Sequence, residues 1–507
     1  MFSKPLAALL GLLGAALAAV HLNVQNSDPL VGDYVETLVP MDCSPQSAVP
    51  NALFEPLGAL SAIRPDQWTT LRHPVFPRHS VRIKQSNFCD TTVKVYTGYI
   101  DIEAKHLFFY FFESRNDPDK DDVVFWTNGG PGCSSSLGLL MELGPCRVTN
   151  ATGDPTFFKE SWNTNANVFF VDQPVGVGFS YAEHGQSVST SEEAAQDIAA
   201  FVAIFFEHFP SFKGRAFHMA GESYGGRYIP LFASAVYDQN ALLVEQGLAP
   251  INLTSAIIGN GMTDPYTMMD SYYHMTCTPA SVAPVLDISS CVRMRKALPR
   301  CKKWFKESCI DQYDEMNCRA ASDFCSAELE SPYFATGLNY YDISRPCYDP
   351  ESLCYPVITT ISRFLDRPDV RTELGVDPHV PKEFSSCSPT VGSAFDAAGD
   401  GLHSSMDYIG ALLARKVRVL IYVGTYDWIC NWVGNEAWTL ALDWHGQQDF
   451  VAVPLRKWHV GGQVAGKTRS AHGLTFATVD GAGHMVPYDK PTEALALINR
   501  WLAQEVL

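Results

Sequence analysis

The chain has 507 residues, of which 46% are hydrophobic and 18% are charged, and its formal net charge at pH 7 is −18. This length and composition predict a globular chain, with one large domain and insertions or with two domains, and argue against a largely disordered protein. Because neutralising phosphate groups requires a basic face, and Asp and Glu outnumber Lys and Arg by 55 to 37, no nucleic acid partner is expected.

Residues 1–19 have the composition of a secretory signal peptide. A short apolar run follows a lysine, and small residues stand in an Ala-x-Ala arrangement at Ala16 and Ala18. This run is too short for a comfortable membrane span and no later stretch is long enough, so no membrane span is predicted after signal cleavage. The protein is expected in the secretory pathway, and its destination is either a vacuole- or lysosome-like compartment or the cell exterior.

Two further features agree with a secretory route. The 14 cysteines are expected to form disulfides, because the lumen is oxidising. Asn150 and Asn252 begin Asn-x-Thr sequons and are predicted glycosylation sites. The cysteine spacing does not match a zinc finger and the chain has no H-E-x-x-H motif, so neither a metal nor a cofactor is expected.

Residues 20–80 are rich in Pro, Ser and Asp and show little apolar periodicity. This pattern predicts the pro-segment of a zymogen, and the alternative is an N-terminal extension that stays attached, since no clear dibasic site marks a boundary. Ordered structure is expected to begin near Thr91. Residues 92–100 and 106–112 are predicted to form an antiparallel hairpin.

Short apolar strands then alternate with helical segments, which predicts an α/β fold. Strands are predicted at residues 123–126, 168–171, 217–220, 255–258, 417–423 and 474–479. The clearest helix spans residues 191–209. Its apolar residues share one face, Thr190 and Glu193 have capping-box spacing, and Pro210 ends it.

The α/β rhythm lapses in the middle of the chain. Eight of the cysteines lie between Cys277 and Cys354, and they predict a disulfide-rich cap inserted at residues 264–387. Residues 81–263 and 388–507 are then the two segments of the core.

Four loops that follow predicted strands carry residues suited to nucleophilic catalysis. The pentapeptide at 221–225, Gly-Glu-Ser-Tyr-Gly, has the spacing of a nucleophile elbow, with Ser223 on a strained turn. The glycine-rich loop at 128–133 can point backbone N–H groups into a cleft, as an oxyanion hole demands. Asp427 and His484 follow later strands, and the order Ser, Asp, His is that of α/β-hydrolases. Since open α/β sheets bind ligands at the carboxyl ends of their strands, the sequence predicts a serine hydrolase.

Six ungapped stretches at and near these loops resemble the serine carboxypeptidase family. They are residues 128–135, 172–181, 221–226, 258–261, 429–432 and 483–487. The resemblance extends from about residue 93 to the C-terminus, and it implies an α/β-hydrolase fold with a disulfide-rich helical cap. It also implies a serine-type carboxypeptidase that hydrolyses the C-terminal bond of peptides and proteins through an acyl-enzyme at acidic pH.

Carried over by motif, the resemblance assigns the catalytic roles. Ser223 would be the nucleophile, His484 the general base and then the acid, and Asp427 the residue that orients the imidazole. The backbone N–H groups of Gly130 and Tyr224 would form the oxyanion hole, which agrees with the usual donors beside an elbow serine.

The resemblance further implies a clamp for the free carboxylate of the substrate, formed by Trp126, Asn128, Glu142 and Glu222. Two ionised glutamates would repel a carboxylate. Like charge and burial are expected to raise a pKa, so that one carboxyl is protonated and donates a hydrogen bond. The clamp should therefore work best in acid.

Pocket residues follow from their positions in the matching stretches. Leu137, Met141, Tyr341, Tyr355 and Met485 would line the side of the leaving residue, and Met262, Met269, Tyr272, Ile429 and Cys430 the acyl side. Because most of these are apolar, a preference for hydrophobic residues on both sides of the scissile bond is expected.

The family's disulfide framework transfers as Cys133 with Cys387, Cys277 with Cys291, Cys301 with Cys325, Cys309 with Cys318, and Cys347 with Cys354. Cys430 would be a free thiol beside the site. An extra bridge between Cys89 and Cys146 is an open possibility, and Cys43 is left alone in the predicted pro-segment. Sequence does not decide connectivity or the oligomeric state.

Two other functions stay open at this point. The same family includes acyltransferases that use this triad to pass an acyl group to an alcohol, although the carboxylate clamp favours a peptidase. Alternatively, the chain would protect partner enzymes of a lysosome or vacuole, with catalysis secondary.

Overall fold

The computed structural model describes residues 54–65 and 67–507. The strands are β1 (Thr69–Arg72), β2 (His79–Ser86), β3 (Val95–Ile102), β4 (Lys105–Phe112), β5 (Val123–Thr127), β6 (Cys146–Arg147), β7 (Thr156–Phe157), β8 (Asn167–Val171), β9 (Tyr181–Ala182), β10 (Phe217–Glu222), β11 (Leu253–Gly259), β12 (Leu338–Asn339), β13 (Asp342–Pro346), β14 (Arg418–Gly424), β15 (Arg456–Val460), β16 (Gln463–Ala471) and β17 (Leu474–Val479). The α-helices are α1 (Ser191–His208), α2 (Gly225–Glu245), α3 (Pro265–Cys277), α4 (Ile288–Phe305), α5 (Glu315–Leu329), α6 (Ser331–Phe334), α7 (Val357–Leu365), α8 (Pro368–Leu374), α9 (Pro389–Ala398), α10 (Met406–Ala414), α11 (Trp432–Ala441), α12 (Gln447–Ala452), α13 (Val486–Asp489) and α14 (Pro491–Leu502). The predicted signal peptide, the first part of the predicted pro-segment and Cys43 lie outside the described residues. None of the helices described is long and apolar enough to cross a membrane.

Most strands join one mixed sheet, in the order β1-β2-β3-β4-β8-β5-β10-β11-β14-β17-β16-β15, with β9 paired to β4. Its central strands, from β8 to β17 in that order, are parallel neighbours. Antiparallel strands flank them on both sides. The prediction of an α/β-hydrolase fold is confirmed by this mixed sheet with a parallel centre.

The predicted elements of the core are present with small differences at their ends. The six predicted strands are β5, β8, β10, β11, β14 and β17, and the predicted hairpin is formed by β3 and β4. The predicted helix is α1, and Thr190 Oγ1 caps it by accepting a hydrogen bond from the Glu193 amide at 3.3 Å.

The sheet separates two hydrophobic cores. Because side chains alternate along a strand, Phe109 and Phe111 of β4 enter the first core, whereas Phe108, Tyr110 and Phe112 enter the second. Helices α1 and α2 cover the first core, and α7 and α14 cover the second. With both faces covered, a cleft can open only at the carboxyl ends of the parallel strands.

The expectation that ordered structure begins near Thr91 is wrong. Strands β1 and β2 precede it, and β2 pairs with both β1 and β3. Val81 and Ile83 of β2 are fully buried and alternate with polar residues. Two apolar residues are too weak a period to stand out in the sequence, although they complete the sheet. Residues 69–72 and 79–80 of the predicted pro-segment are therefore part of the sheet.

The disulfide-rich region forms a helical cap around α3, α4 and α5, which share their own hydrophobic cluster. Helices α7 and α8 lie in the same predicted insertion but bury their side chains in the second core of the sheet. The predicted insertion at 264–387 is thus divided between the cap and the sheet.

Six disulfides join described cysteines. They are Cys133–Cys387, Cys277–Cys291, Cys301–Cys325, Cys309–Cys318, Cys347–Cys354 and Cys89–Cys146. The first five are the pairs that the resemblance implied, and the sixth fastens the segment before β3 to β6. Cys430 is buried and is the free cysteine of the described chain.

Candidate active site

Ser223 stands between β10 and α2 in the left-handed region, with φ of 62°. Such a conformation is strained for a residue other than glycine, and it aims the side chain out of the strand-to-helix turn. Neighbouring glycines permit the close approach, since a Cβ at Gly226 would lie 2.6 Å from the backbone nitrogen of Met262. The local structure is that of a nucleophile elbow.

Asp427 and His484 meet at the ends of β14 and β17. His484 Nδ1 lies 2.8 Å from Asp427 Oδ2, and both side chains are buried. The His484 amide donates to the carbonyl of Tyr341 at 2.8 Å, and the two rings are 4.6 Å apart. The imidazole is therefore held by its own backbone amide, by the ring of Tyr341 and by the hydrogen bond at Nδ1.

Asn260 is a site residue that the sequence analysis did not assign. It follows β11, and its Nδ2 donates to Asp427 Oδ2 at 2.7 Å. The amides of Ile429 and Cys430 donate to the other carboxylate oxygen at 3.1 and 3.4 Å. Asp427 is therefore oriented from both sides. Asn260 lies inside one of the matching stretches, at the end of a strand next to β14. This position could have identified it as a site residue from the sequence.

The amides of Gly130 and Tyr224 lie on two loops that touch, since a Cβ at Gly129 would be 2.4 Å from the Tyr224 nitrogen. In the described part of the chain, neither amide donates a hydrogen bond to the protein. Both residues line the same cavity as Ser223. Two unused donors beside a nucleophile are the arrangement that an oxyanion hole requires.

Asp172 is hydrogen-bonded to the segment that follows the glycine-rich loop. No role was predicted for it from the sequence. Its carboxylate accepts hydrogen bonds from Ser134 Oγ at 2.6 Å and from the amides of Ser135 and Phe179 at 2.9 and 3.0 Å. Burial raises the pKa of Asp172 to about 6, against these hydrogen bonds. The Cys133–Cys387 disulfide fastens the same loop to the segment before α9.

The four predicted clamp residues are buried together. Trp126 Nε1 donates to Asn128 Oδ1 at 2.9 Å, and Asn128 Nδ2 donates to Glu142 Oε1 at 3.1 Å. Glu142 and Glu222 lie close enough together for each carboxyl to shift the pKa of the other. Glu222 is the last residue of β10, so the clamp adjoins Ser223 directly.

Burial raises the pKa of both clamp glutamates. Burial and then the charge of Glu142 raise the pKa of Glu222 well above its usual value. Burial also raises the pKa of Glu142, but hydrogen bonds from Glu222 and Asn128 favour its ionised form. Of the two carboxyls, Glu222 is therefore the one that is protonated more readily. Arg147, which the sequence analysis missed, donates to the backbone carbonyl of Glu142 and also favours its ionised form.

A cavity of about 400 Å³ opens beside Ser223. The predicted pocket residues that line it are Met262, Met269, Tyr272, Tyr341, Ile429 and Cys430. The structure does not bring the other four to this cavity, since Leu137, Met141, Tyr355 and Met485 are buried in the second core. Met141 precedes Glu142, and Tyr355 is close enough to feel the charge of Glu222, so these side chains lie on the clamp side.

Cys430 lines the same cavity as Ser223, and burial raises the pKa of its thiol well above the usual value. Its sulfur and polar atoms of Asp427 and His484 lie within 4.8 Å of one another. Two of the three groups are already joined by a hydrogen bond, so the cluster is satisfied by protein contacts. The predicted glycosylation sites Asn150 and Asn252 are both exposed.

The sequence of this chain is similar to those of known carboxypeptidases. The sequence profile described as serine carboxypeptidase matches residues 86–504. Carboxypeptidase Y of Candida albicans is 42% identical over 431 residues, which cover 84% of this chain and 77% of that protein. Carboxypeptidase Y homolog A of Aspergillus fumigatus is 43% identical over 423 residues, or 82% of this chain and 75% of that one.

A solved structure has the same fold. It is Kex1Δp, a prohormone-processing carboxypeptidase from Saccharomyces cerevisiae, with a TM-score of 0.69 and 23% sequence identity. The likeness covers 86% of this chain and 96% of that one.

Proposed function

The chain belongs to the serine carboxypeptidase family, and on that premise we propose that it releases single residues from the C-termini of peptides and proteins in acid. A serine-type carboxypeptidase needs a nucleophile, an oriented base, an oxyanion hole and a group that recognises a free carboxylate. The described site has a candidate for each, within contact of Ser223 or of its neighbours. The observation that carries the proposal is the buried Glu142–Glu222 pair directly beside the elbow.

In the proposed reaction, Ser223 Oγ attacks the scissile carbonyl carbon and His484 takes the hydroxyl proton. Asp427 holds Nδ1 of the imidazole and stabilises the cation that forms. The amides of Gly130 and Tyr224 bind the developing oxyanion. His484 then gives its proton to the leaving amine, and water hydrolyses the acyl-enzyme by the reverse roles.

The clamp supplies the C-terminal restriction. A substrate carboxylate accepts hydrogen bonds from the protonated glutamate and from the amide of Asn128, which Trp126 orients. Below the pKa of the pair the proton is present and the carboxylate is bound. As the pH rises through that pKa the proton is lost, and the two negative charges repel the substrate.

The largely apolar walls beside Ser223 support a preference for hydrophobic residues. The six disulfides and the relatives named above support passage through the secretory pathway, and a vacuole- or lysosome-like compartment or secretion would follow from it. Cleavage of a signal peptide and activation of a zymogen belong to the same proposal, as does glycosylation at Asn150 and Asn252.

Product analysis tests this function. The secreted protein is incubated with an N-blocked peptide of several residues, as the free acid and as the C-terminal amide, at about pH 5, where glutamates that share a proton keep it. We expect residues to be released one at a time from the acid and far more slowly from the amide. Cleavage inside the peptide, or transfer of the acyl group to an added alcohol with little hydrolysis, would contradict the proposal.

A further inference from the structure

The cavity beside Ser223 lies on the acyl side of the site. None of the four clamp residues lines it, whereas Ser223 and both oxyanion residues do. Because the clamp holds the carboxylate of the leaving residue, the side chain that enters this cavity belongs to the residue before the scissile bond. The cavity therefore selects the penultimate residue of the substrate.

Among the described residues, two acidic ones, Glu330 and Asp396, line this cavity, and no Lys, Arg or His does. They differ in surroundings, since Asp396 is exposed to solvent and Glu330 is half-buried. Glu330 follows α5 directly, on a wall that it shares with Ser322 and Ser326 of that helix. Its position is fixed because the Cys301–Cys325 disulfide ties α5 to α4.

The side chain of Glu330 has one hydrogen-bond partner within the described chain. Ser326 Oγ donates to Glu330 Oε2 at 3.2 Å. Among residues 54–65 and 67–507, no basic side chain pairs with Glu330, and the nearby Arg293, Lys302 and Arg319 pair with other acids. Burial raises the pKa of this carboxyl, with only the Ser326 hydrogen bond acting against the shift. A carboxylate removed from water without a cation is costly, so a cation brought by the substrate would be stabilised there.

The path from Ser223 to Glu330 suits an amphipathic side chain. Met269 and Tyr272 provide apolar wall, and Tyr272 is close enough to Glu330 to feel its charge. Lysine and arginine bury an apolar stem and keep a charged end for a polar partner. A long aliphatic side chain would pack against the same wall but would leave the Glu330 carboxyl without a cationic partner.

We infer that Glu330 makes this enzyme accept lysine or arginine as the residue before the scissile bond, by pairing with the cationic end of that side chain. The inference rests on the proposed carboxypeptidase function and adds a substrate class to it. Hydrophobic residues stay acceptable at this position, because the walls between Ser223 and Glu330 are apolar.

The test compares two N-blocked dipeptide acids with the same C-terminal leucine, one with lysine and one with norleucine before it. Because the leaving residue is the same, the contribution of the clamp to kcat/KM is the same for both substrates and cancels in the ratio. Glu330→Gln is expected to lower the lysine-to-norleucine ratio by about 10-fold or more, since it removes a hydrogen bond between charged groups. The ratio is measured at about pH 5 and about pH 6.5, so that ionised Glu330 is sampled.

Glu328→Gln is the matched control. It makes the same chemical change two residues away, where Glu328 faces Arg293 rather than the cavity, and it should leave the ratio unchanged. An unchanged ratio in Glu330→Gln at both pH values would overturn the inference and leave the carboxypeptidase function intact. If the wild-type protein hydrolyses neither dipeptide acid, the proposed function fails, and the inference fails with it.

Discussion

The two sides of Ser223 are built from different parts of the fold. On the clamp side, Trp126 and Glu222 belong to the central strands β5 and β10 and are almost completely buried. On the acyl side, the walls come mainly from cap helices and loops, and Met262 keeps 37% of its surface exposed. In the proposed function the sheet would hold the group that every substrate shares, a terminal carboxylate, whereas the cap would contact the side chain that varies.

The acidic groups on the two sides differ in the same way. Burial raises the pKa of both Glu142 and Glu222, while Asn128 and Arg147 favour the ionised form of Glu142. The carboxylate of Glu330 has Ser326 as its one hydrogen-bond partner in the part of the chain that the structure describes. We therefore expect the clamp to respond to pH and the acyl side to respond to the charge of the substrate.

The largest effect should come from the residue that both sides share. Ser223→Ala is expected to lower kcat by about 10⁶-fold, as for other nucleophile deletions in this chemistry. Both sides should remain folded, so calorimetry should still detect binding of a peptide acid at low pH. Residual hydrolysis at about one thousandth of the wild-type rate would point to another nucleophile and contradict the role of Ser223.

Breaking one disulfide on each side should separate the two regions. Cys301→Ala with Cys325→Ala loosens the cap, and Cys89→Ala with Cys146→Ala loosens the segment beside Arg147 and the clamp. Each pair is expected to cost about 3 to 4 kcal/mol of unfolding free energy, measured by denaturant titration.

Their effects on substrate choice should differ. The cap variant should change the ratio of kcat/KM between substrates that differ in the penultimate residue. The clamp-side variant should instead change the ratio between peptide acid and peptide amide. Identical effects of the two variants on both ratios would contradict a division of labour between sheet and cap.

The triad was predictable from sequence because each member lies in a loop just past an apolar strand, and because Ser223, Asp427 and His484 occur in the order of a known fold. The clamp followed only from the resemblance, since no physical rule would pair two glutamates around a carboxylate. Asn260 was visible but unassigned, because an asparagine after a strand is also a common turn residue.

Other features depend on tertiary contacts that local pattern does not report. Strand β2 has two inward apolar residues and is stable because β3 pairs along its whole length. Glu330 directly follows the polar helix α5. From the sequence, an acid in this position is expected to be exposed to solvent. Only the cap disulfides and the packing of α5 bring it to the cavity.

The pH dependence of KM tests the shared proton of Glu142 and Glu222 most directly. For a blocked peptide acid, KM should rise steeply from about pH 5 to about pH 8, while KM for the matching amide stays nearly flat. Glu222→Gln, which keeps a hydrogen-bond donor that cannot ionise, should flatten the acid curve as well. Parallel curves for acid and amide in the wild-type enzyme would contradict the clamp.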